Sequence, residues 1–514
     1  MLLELLKNIP LNTDAYKTSH FLQYPAGTTH VSSYIESRGG VYPNVMSFGL
    51  QAFIKEYLTT PITMRDIDFA ESIIRDDMNL PFNRTGWEYI INKHGGYLPV
   101  EIQTVDEGTV LPNHHVTVQI VNTDPNCAWL TSYLETALLR ATWYPNTVAT
   151  KSWAVKQTVT QYMQETSDNL LGLPFKLNDF GARGASSNET AALGGMAHLV
   201  NFAGSDTLMG IVAAKTYYRY RPEKQGVPAA EHSTITSWGR ENEAAAYLNM
   251  INQFSGQGKI VAVVSDSYDL YNAIQNIWGD QLREQVVNNG GLIVIRPDSG
   301  NPVDVVCKSL DILAERFGVT ANTKGYKVLP PYIRLIQGDG VSPDSIAAIL
   351  EAMKQKGYSA DNVVFGMGGE LLQRMDRDTQ KYAMKASAIR IEDEIPVTSG
   401  FNASAIKMPQ GWHDYHVYDS AFDTAGTWRD VYKSPATDPG KVSKRGILAL
   451  TFDENAGYIT CRRDELKGRP NLLKTAFRNG DLMRDVNFEQ VRKTAVETTA
   501  ILNKMGLIDL KLAA

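Results

Sequence analysis

The chain has 514 residues, of which 43% are hydrophobic and 21% charged, with 40 Gly and 22 Pro. This is an ordinary globular composition, and it excludes disordered, collagen-like and coiled-coil classes. The 50 basic and 56 acidic residues give a formal net charge of −6, which does not favour nucleic acid as a partner. At about 150 residues per domain, the length provides material for about three domains.

The cysteines and the apolar segments indicate the cellular compartment of the protein. The three cysteines lie far apart at Cys127, Cys307 and Cys461 and form no CxxC motif, so neither a disulfide framework nor a cysteine zinc site is predicted. The first residues include Glu4 and lack the basic region and cleavage site of a signal peptide. No apolar run approaches the ~20 residues that span a bilayer. We therefore expect a cytoplasmic protein without a membrane partner.

The first 165 residues have the pattern of an α+β region. Strand-like alternation occurs at Thr29–Ile35 and Val116–Val121, and helical patterns occupy much of 129–165. After the run Phe175–Phe180, short β-branched runs alternate with amphipathic helical stretches, and the clearest runs are Lys259–Val264, Leu292–Ile295, Tyr332–Ile336 and Asn362–Phe365. This alternation predicts βαβ units and a parallel sheet, either doubly wound or closed as a barrel.

The last part of the chain, from about residue 380, has a different pattern. It contains the acidic stretch Ile391–Ile395, the basic tract Lys441–Arg445 and a helix predicted at Phe488–Lys504.

Polar residues and glycines follow the predicted parallel strands. They are Asp266, Arg296, Asp298, Gly338, Asp339, Gly368 and Gly369. Because ligands of parallel α/β folds bind at the carboxyl ends of the strands, this edge is the candidate active site. An arginine offers a bidentate fork for phosphate, a carboxylate can bind ribose or a hard cation, and glycine-rich turns let backbone N–H groups approach a phosphate.

Each of these residues also has a purely structural interpretation. Arg296 and Asp298 could form a salt bridge within one turn, and His232 could be a capping or core histidine instead of a base or nucleophile. Phe180 and Arg183 could be a core ring and a surface cation, and Asp206 could be the N-cap of a helix. Spacing alone predicts no more than a phosphate-binding α/β enzyme.

Longer motifs add a family resemblance across nearly the whole chain. They include DAYKTSHFLQYP (14–25), WYPNTVAT (143–150), DFGARGASSNET (179–190), GSDT (204–207), VPAAEHSTITSWG (227–239), VVSDSYD (263–269), IRPDSGNP (295–302), IQGDG (336–340), GGELLQ (368–373) and WRDVYKSPATDP (428–439). The chain resembles the nicotinamide phosphoribosyltransferases. The resemblance implies a barrel-like parallel βα domain of the type II phosphoribosyltransferase kind at 166–379. A flanking α+β domain would comprise 1–165 together with 380–514.

The resemblance also implies a reaction of NAD salvage. Phosphoribosyl pyrophosphate and nicotinamide would give nicotinamide mononucleotide and pyrophosphate in the presence of Mg²⁺. ATP hydrolysis would be coupled to this transfer through a phosphohistidine at His232. The enzyme would be a homodimer with shared active sites.

Roles for individual residues follow from the same resemblance. Phe180 and Tyr16 would sandwich the pyridine ring, with Tyr16 coming from the partner subunit, and Asp206 would accept a hydrogen bond from the carboxamide. The diphosphate would be held by Arg183, His232 and Arg296, the ribose by Asp298, Gly338 and Asp339, and the 5′-phosphate by Gly368 and Gly369. Arg38, Arg377, Lys385 and Lys433 would bind further anionic groups, and Asp266 would lie near the Mg²⁺ ion.

Other functions remain as alternatives. Nicotinate phosphoribosyltransferase is the nearest, but a carboxylate at Asp206 would repel the carboxylate of nicotinate. A non-catalytic binding protein and a different sugar-phosphate enzyme are the others.

The chain also departs from the vertebrate members of the family. Met367, Glu370 and Ala383 stand where those members have Ser, Gly and Ser, and the segment between Ser387 and Trp428 is longer. These departures suggest a bacterial or phage member.

Overall fold

A computed structural model describes residues 5, 7–222, 226–392, 420–423 and 428–508. The chain divides into two compact units. Unit 1 comprises Met1–Tyr144, Arg377–Val486 and Thr494–Met505, and unit 2 comprises Pro145–Asp376, Asn487–Lys493 and Gly506–Ala514. The acidic stretch beyond Glu392 and most of the longer segment at 388–427 lie outside the described residues. Among the residues described, no helix combines the length and hydropathy of a membrane span.

The strands, in chain order, are β1 Thr28–Ser37, β2 Asn44–Met46, β3 Val100–Thr104, β4 Val110–Pro112, β5 Val116–Asn122, β6 Leu177–Asp179, β7 Gly204–Ser205, β8 Ile260–Val264, β9 Leu292–Arg296, β10 Thr320–Ala321, β11 Lys327–Val328, β12 Ile333–Gln337, β13 Val363–Met367, β14 Tyr382–Ile391, β15 Arg429–Asp430, β16 Leu448–Asp453, β17 Gly457–Arg462, β18 Lys474–Arg478 and β19 Asp481–Leu482.

The α-helices of the described residues are Leu50–Phe53, Met64–Glu71, Arg84–His94, Leu130–Tyr133, Glu135–Thr166, Asn188–His198, Leu208–Tyr218, His232–Thr236, Glu243–Phe254, Leu270–Asn272, Arg283–Asn288, Pro302–Phe317, Pro343–Gln355, Gly369–Leu372 and Phe488–Lys504. Shorter π-helical segments occur at Ile54–Leu58, Ser72–Asp77 and Ala273–Gln281.

Unit 1 is built on a seven-stranded antiparallel sheet in the order β15-β14-β1-β5-β3-β18-β19. β1 lies near its centre and pairs with β14 and β5. The strand pattern predicted at Thr29–Ile35 lies within β1, and every residue from Thr29 to Ser37 is buried. Apolar side chains cover both faces, including a large cluster around Trp87, Trp129 and Tyr133, whose rings pack edge to face.

Unit 2 is built on a six-stranded parallel sheet in the order β7-β6-β13-β12-β9-β8. Ala229 adds a parallel bridge to Ala262 of β8, so the segment before His232 lies along that edge. The predicted runs coincide with β8, β9, β12 and β13 within two residues at either end. The sequence prediction of a parallel, barrel-like βα domain with a separate α+β domain is therefore confirmed.

Strand side chains alternate between the two faces of this sheet. Ala262, Val294 and Ile336 form an apolar layer with the partly buried Phe180 and Val364. Two helices that follow strands have clear start signals: Asn301 caps Pro302–Phe317, and Ser342 caps Pro343–Gln355. These caps end each strand-to-helix loop at a defined residue, which fixes the loops that carry the site.

Candidate active site

The carboxyl ends of the parallel strands place the predicted residues of unit 2 along one edge of the sheet. Asp206 follows β7, Phe180 and Arg183 follow β6, Gly368 and Gly369 follow β13, Gly338 and Asp339 follow β12, Arg296 and Asp298 lie at the end of β9, and Asp266 follows β8. His232 begins the short helix after the bridge at Ala229. Their roles toward substrates stay predictions, but the sheet order places the residues of each strand end beside those of the adjoining strands.

His232 is held by a buried carboxylate. Its Nε2 lies 3.0 Å from Oδ1 of Asp266, whose side chain is 4% exposed. The other oxygen, Oδ2, accepts hydrogen bonds from the Ser299 hydroxyl at 2.5 Å and from the backbone N–H of Asp298 at 3.0 Å. Burial alone would raise the pKa of Asp266, but these donors outweigh it and hold the pKa below its usual range. An ionised carboxylate only accepts hydrogen bonds, so Nε2 is the donor to Asp266, and in the neutral tautomer that matches this contact the lone pair lies on Nδ1.

Arg296 and Asp298 contact each other and also have polar atoms that could bind a ligand. The Arg296 guanidinium lies 3.6 Å from Asp298 Oδ2, so the salt bridge of the structural interpretation is present but long. His232 Nδ1 lies 3.8 Å from the same oxygen. The buried Nε of Arg296 has no hydrogen-bond acceptor among the described residues. A buried donor of this kind calls for a ligand or water, and an anion fits it.

Phe180 lies over the inner apolar layer of the sheet. Its N–H donates to Met367 O at 2.9 Å, which ties the residue to the end of β13. A Cβ on Gly366 would come within 2.0 Å of the Phe180 ring, so only glycine leaves room for the ring here. A Cβ on Gly338 would lie 3.5 Å from this ring and 3.7 Å from Asp298 Oδ1. Phe180 and Asp298 therefore flank Gly338.

Asp206 lies at the neighbouring strand end, and a second carboxylate supports its loop. Its N–H donates to the carbonyl of Asp179 at 2.9 Å. The buried Asp179 carboxylate accepts from the N–H of Gly181 at 2.7 Å and from Ser205 Oγ at 3.4 Å. Burial raises the pKa of Asp206, Asp179 raises it further, and Arg296 opposes the shift. Thr207, not Asp206, is the N-cap of Leu208–Tyr218, so the capping interpretation of Asp206 is wrong.

Two glycine turns complete this edge. Gln337 Nε2 donates to Asp339 O at 2.7 Å and fixes the turn after β12, where Gly340 has a φ of +65°. In the part of the chain that the structure describes, the N–H groups of Gly368 and Gly369 donate no hydrogen bond. Free N–H groups at a turn form a concavity that suits a phosphate.

The remaining predicted residues belong to unit 1, where three of them form a cationic cluster. On adjacent strands Tyr34 of β1 pairs with Lys385 of β14. Burial lowers the pKa of Lys385, Glu135 opposes the shift, and repulsion from Arg38, Lys433 and Lys17 adds to it. Close cations of this kind favour a shared anionic ligand. In contrast, Tyr16 and Arg377 are exposed at the surface of this unit, at 61% for Tyr16, and Arg377 pairs with Asp378 at 2.9 Å.

Sequence reasoning missed the acidic partners of this cluster. Glu36 is buried, receives a hydrogen bond from Arg38 Nε at 2.8 Å and also pairs with Lys444. Glu135 pairs with the buried Lys17 at 2.6 Å. Glu36 lies in β1 and Arg38 directly follows it, and a spacing of two residues in extended chain puts side chains on one face, which was the available signal.

A Mg²⁺ site was predicted near Asp266. Within the described residues no three His, Cys, Asp or Glu side chains are grouped as a metal site. Mg²⁺ typically takes one or two carboxylates and completes its shell with substrate phosphates and water. Asp298 lies 3.6 Å from Arg296 and 3.8 Å from His232, so its carboxylate fits that use better than Asp266, whose oxygens already accept three hydrogen bonds.

The fold matches solved structures of one class. A nicotinate-nucleotide pyrophosphorylase from Pyrococcus furiosus superposes with a TM-score of 0.59 at 13% identity, covering 97% of each chain. The sequence model of the nicotinate phosphoribosyltransferase (NAPRTase) family matches residues 175–407. The chain therefore has the fold of the type II phosphoribosyltransferases.

Sequence relatives narrow the class further. The N-terminal domain model of nicotinamide phosphoribosyltransferase matches residues 8–102. A nicotinamide phosphoribosyltransferase of Xanthomonas campestris is 50% identical over 496 residues, covering 95% of this chain and 98% of that protein. A second, from Acinetobacter baylyi, is 29% identical and covers 94% and 96%. The chain belongs to the nicotinamide phosphoribosyltransferase family.

Proposed function

We propose that this protein transfers the phosphoribosyl group of phosphoribosyl pyrophosphate to nicotinamide, forming nicotinamide mononucleotide and pyrophosphate in NAD salvage. The observation that carries this proposal is the position of Phe180 and Asp206 directly after the adjacent strands β6 and β7 of unit 2. The ring offers a stacking face, and the carboxylate accepts from a carboxamide NH₂. The name of the relative at 50% identity supports the same acceptor.

The cationic groups of the edge suit the departing diphosphate. Phosphoribosyl transfer passes through an oxocarbenium-like ribose, so the site has to stabilise a leaving anion and position a weak nitrogen nucleophile. Arg296 would donate from its Nε to the diphosphate, with Arg183 as a further cation, and the nearby Asp298 carboxylate would stabilise the positive charge that develops on the ribose. Bound Mg²⁺ would supply charge neutralisation at the diphosphate, with Asp298 as its protein ligand.

ATP would take part in the reaction by phosphorylating His232. Because Asp266 fixes the proton on Nε2, the lone pair of Nδ1 can attack the γ-phosphorus of ATP without first losing a proton. A nitrogen–phosphorus bond forms, the bond to the leaving ADP oxygen breaks, and later hydrolysis returns free histidine and phosphate. ATP hydrolysis would thereby be coupled to the transfer.

The quaternary structure belongs to the same proposal. The enzyme would act in the cytoplasm as a homodimer, with Tyr16 and the cations Arg38, Arg377, Lys385 and Lys433 completing the site of a partner subunit. The cluster of Arg38, Lys385 and Lys433 in unit 1 supports an anionic ligand there.

Product formation by the purified chain tests the proposal. Phosphoribosyl pyrophosphate and Mg²⁺ would be supplied with nicotinamide or nicotinate, each with and without ATP. We expect nicotinamide mononucleotide as the main product and a higher rate with ATP. A preference for nicotinate would favour the related nicotinate enzyme and contradict the role of Asp206. No product from either base would contradict the proposed reaction.

A further inference from the structure

A buried lysine lies behind the glycine turn that follows β13. Lys151 belongs to the helix Glu135–Thr166, and its side chain is 5% exposed. Its Nζ donates to Glu370 O at 2.6 Å, to Glu370 Oε1 at 2.8 Å and to Arg374 O at 3.2 Å. One ammonium group thus holds a backbone carbonyl and the carboxylate of the residue next to Gly369, together with a carbonyl four residues later.

Burial of this ammonium is costly and has to be compensated locally. Burial lowers the pKa of Lys151, while the Glu370 carboxylate opposes the shift. Apolar residues of similar volume commonly stabilise a fold as well as a buried ion pair does, so the pair is weak evidence for a role in stability alone. Its geometric effect is specific, because all three acceptors belong to the segment Glu370–Arg374.

The other side of the same segment is also fixed. Gln373 Oε1 accepts from the N–H of Ser186 at 2.9 Å, and the carbonyl of Gly369 accepts from the N–H groups of Gln373 and Arg374. A Cβ on Gly184 would come within 2.8 Å of Gly369, so the loop after β6 lies directly against the turn. The segment is thus held from the loop side by the Gln373 side chain and from the helix side by Lys151.

The helix that carries Lys151 supports a second strand end. Ser152 Oγ lies 3.0 Å from Nδ1 of the buried His198, whose Nε2 lies 3.1 Å from Gly204 O of β7. Two consecutive residues of the helix therefore contact, directly or through one histidine, two strand ends of the candidate site. The helix therefore supports the loops of the candidate site in addition to packing against the sheet.

We propose that Lys151, through its ion pair with Glu370, is a positioning residue that holds the Gly368–Glu370 turn in the conformation that binds the 5′-phosphate of the phosphoribosyl substrate. The inference rests on the proposed function. Lys151 does not touch the phosphate. Its effect is to keep the N–H groups of Gly368 and Gly369 aimed at one point, so that substrate binding does not have to order the turn.

Steady-state kinetics of Lys151→Met and Glu370→Ala test this role. We expect Lys151→Met to raise KM for phosphoribosyl pyrophosphate about ten-fold, equivalent to about 1.4 kcal/mol, while KM for nicotinamide stays unchanged. Glu370→Ala leaves the two carbonyl acceptors of Lys151 in place, so a rise of about three-fold is expected. The double variant should be no worse than Lys151→Met alone, because both changes remove one interaction.

Lys354→Met is the matched control. Lys354 pairs with Glu165 at 2.7 Å, and Glu165 lies on the same helix as Lys151. This variant should leave both KM values unchanged. A loss of thermal stability in Lys151→Met with both KM values unchanged would assign a purely structural role and overturn the inference.

Calorimetric binding of ribose 5-phosphate separates this inference from the proposed function, since it needs no turnover. Weaker binding to Lys151→Met and to Glu370→Ala, with wild-type binding to Lys354→Met, supports the inference even if the wild type forms no product. Equal affinity in all four proteins overturns it even if the wild type makes nicotinamide mononucleotide. Glu370→Ala keeps the test decisive if Lys151→Met does not fold.

Discussion

Asp206 and Asp266 are carboxylates on one sheet edge whose pKa values move in opposite directions. Burial raises the pKa of Asp206, and three hydrogen-bond donors keep that of Asp266 low despite its burial. Asp266 therefore stays ionised and orients His232. Ionisation of Asp206 costs free energy in this buried position, and a donor such as a carboxamide NH₂ would reduce that cost.

Asp206→Asn tests the recognition of the amide. Removing the negative charge removes its repulsion of nicotinate, so the ratio of kcat/KM for nicotinate over nicotinamide should rise at least about ten-fold. An unchanged ratio would remove Asp206 from this role.

The same variant should change stability in a pH-dependent way. A raised pKa means that the folded state binds the proton of Asp206 more tightly than the unfolded state does, so ionised Asp206 destabilises the fold above its folded-state pKa. Asp206→Asn should therefore have a higher Tm than the wild type at neutral pH. The difference should disappear as the pH falls below the usual range of an aspartate, which thermal melts across pH would show.

His232→Ala and Asp266→Asn should have the same kinetic signature. In Asp266→Asn the amide oxygen is retained by Ser299 and the N–H of Asp298, which turns the NH₂ toward His232 and moves the imidazole proton to Nδ1. We expect basal transfer to persist and the stimulation by ATP to fall about a hundred-fold or more. Holding a catalytic histidine in the wrong tautomer causes rate losses of at least this size in other enzymes. ATP stimulation that survives in His232→Ala would contradict the phosphohistidine.

At the scale of elements, local sequence patterns predicted where the strands end, whereas the side-chain partners of the site residues depend on tertiary contacts. The predicted runs end at Val264, Ile295 and Ile336, within one residue of the ends of β8, β9 and β12, because β-branched runs closed by Gly, Pro or Asp are a local signal. The partners of His232 and Lys151 were not predictable, since Asp266 is 34 residues and Glu370 219 residues away along the chain. No periodicity encodes such contacts.

Gly366 of β13 lies directly against the Phe180 ring. In Gly366→Ala the new methyl group would collide with the Phe180 ring, and the overpacking should cost about 1–3 kcal/mol of unfolding free energy. Displacement of the ring should also raise KM for nicotinamide more than KM for phosphoribosyl pyrophosphate. Gly172→Ala is a suitable control, because its Cβ would meet only Lys176 Cε at 3.8 Å. Unchanged nicotinamide binding in Gly366→Ala would show that Phe180 does not stack on the base.

At the scale of the whole molecule, the predicted site residues are divided between the two units. Tyr16, Arg38, Arg377, Lys385 and Lys433 belong to unit 1, and the others belong to unit 2. If the proposed homodimer shares its sites between subunits, one defective copy can be complemented by another.

Mixed dimers of Tyr16→Ala and Phe180→Ala test this sharing. Each variant alone should be nearly inactive, and co-expression should restore about a quarter of the wild-type sites, because half of the random dimers then hold one intact site out of two. Mixtures that stay as inactive as the separate variants, in a preparation shown to contain mixed dimers, would contradict shared sites.

The pairing of β1 with β14 has a consequence for the synthesis of the chain. Thr28 lies opposite Ile391 in this ladder, so a ribosome delivers all of Pro145–Asp376 before β1 can meet that partner. Domains tend to fold as units during translation, and local βα pairings form faster than ladders between distant segments. The parallel sheet should therefore be complete on the nascent chain while the edge of β1 that later pairs with β14 still has no partner strand. Chaperone dependence in the cell would then fall on the first 144 residues and not on the strands that carry the chemistry.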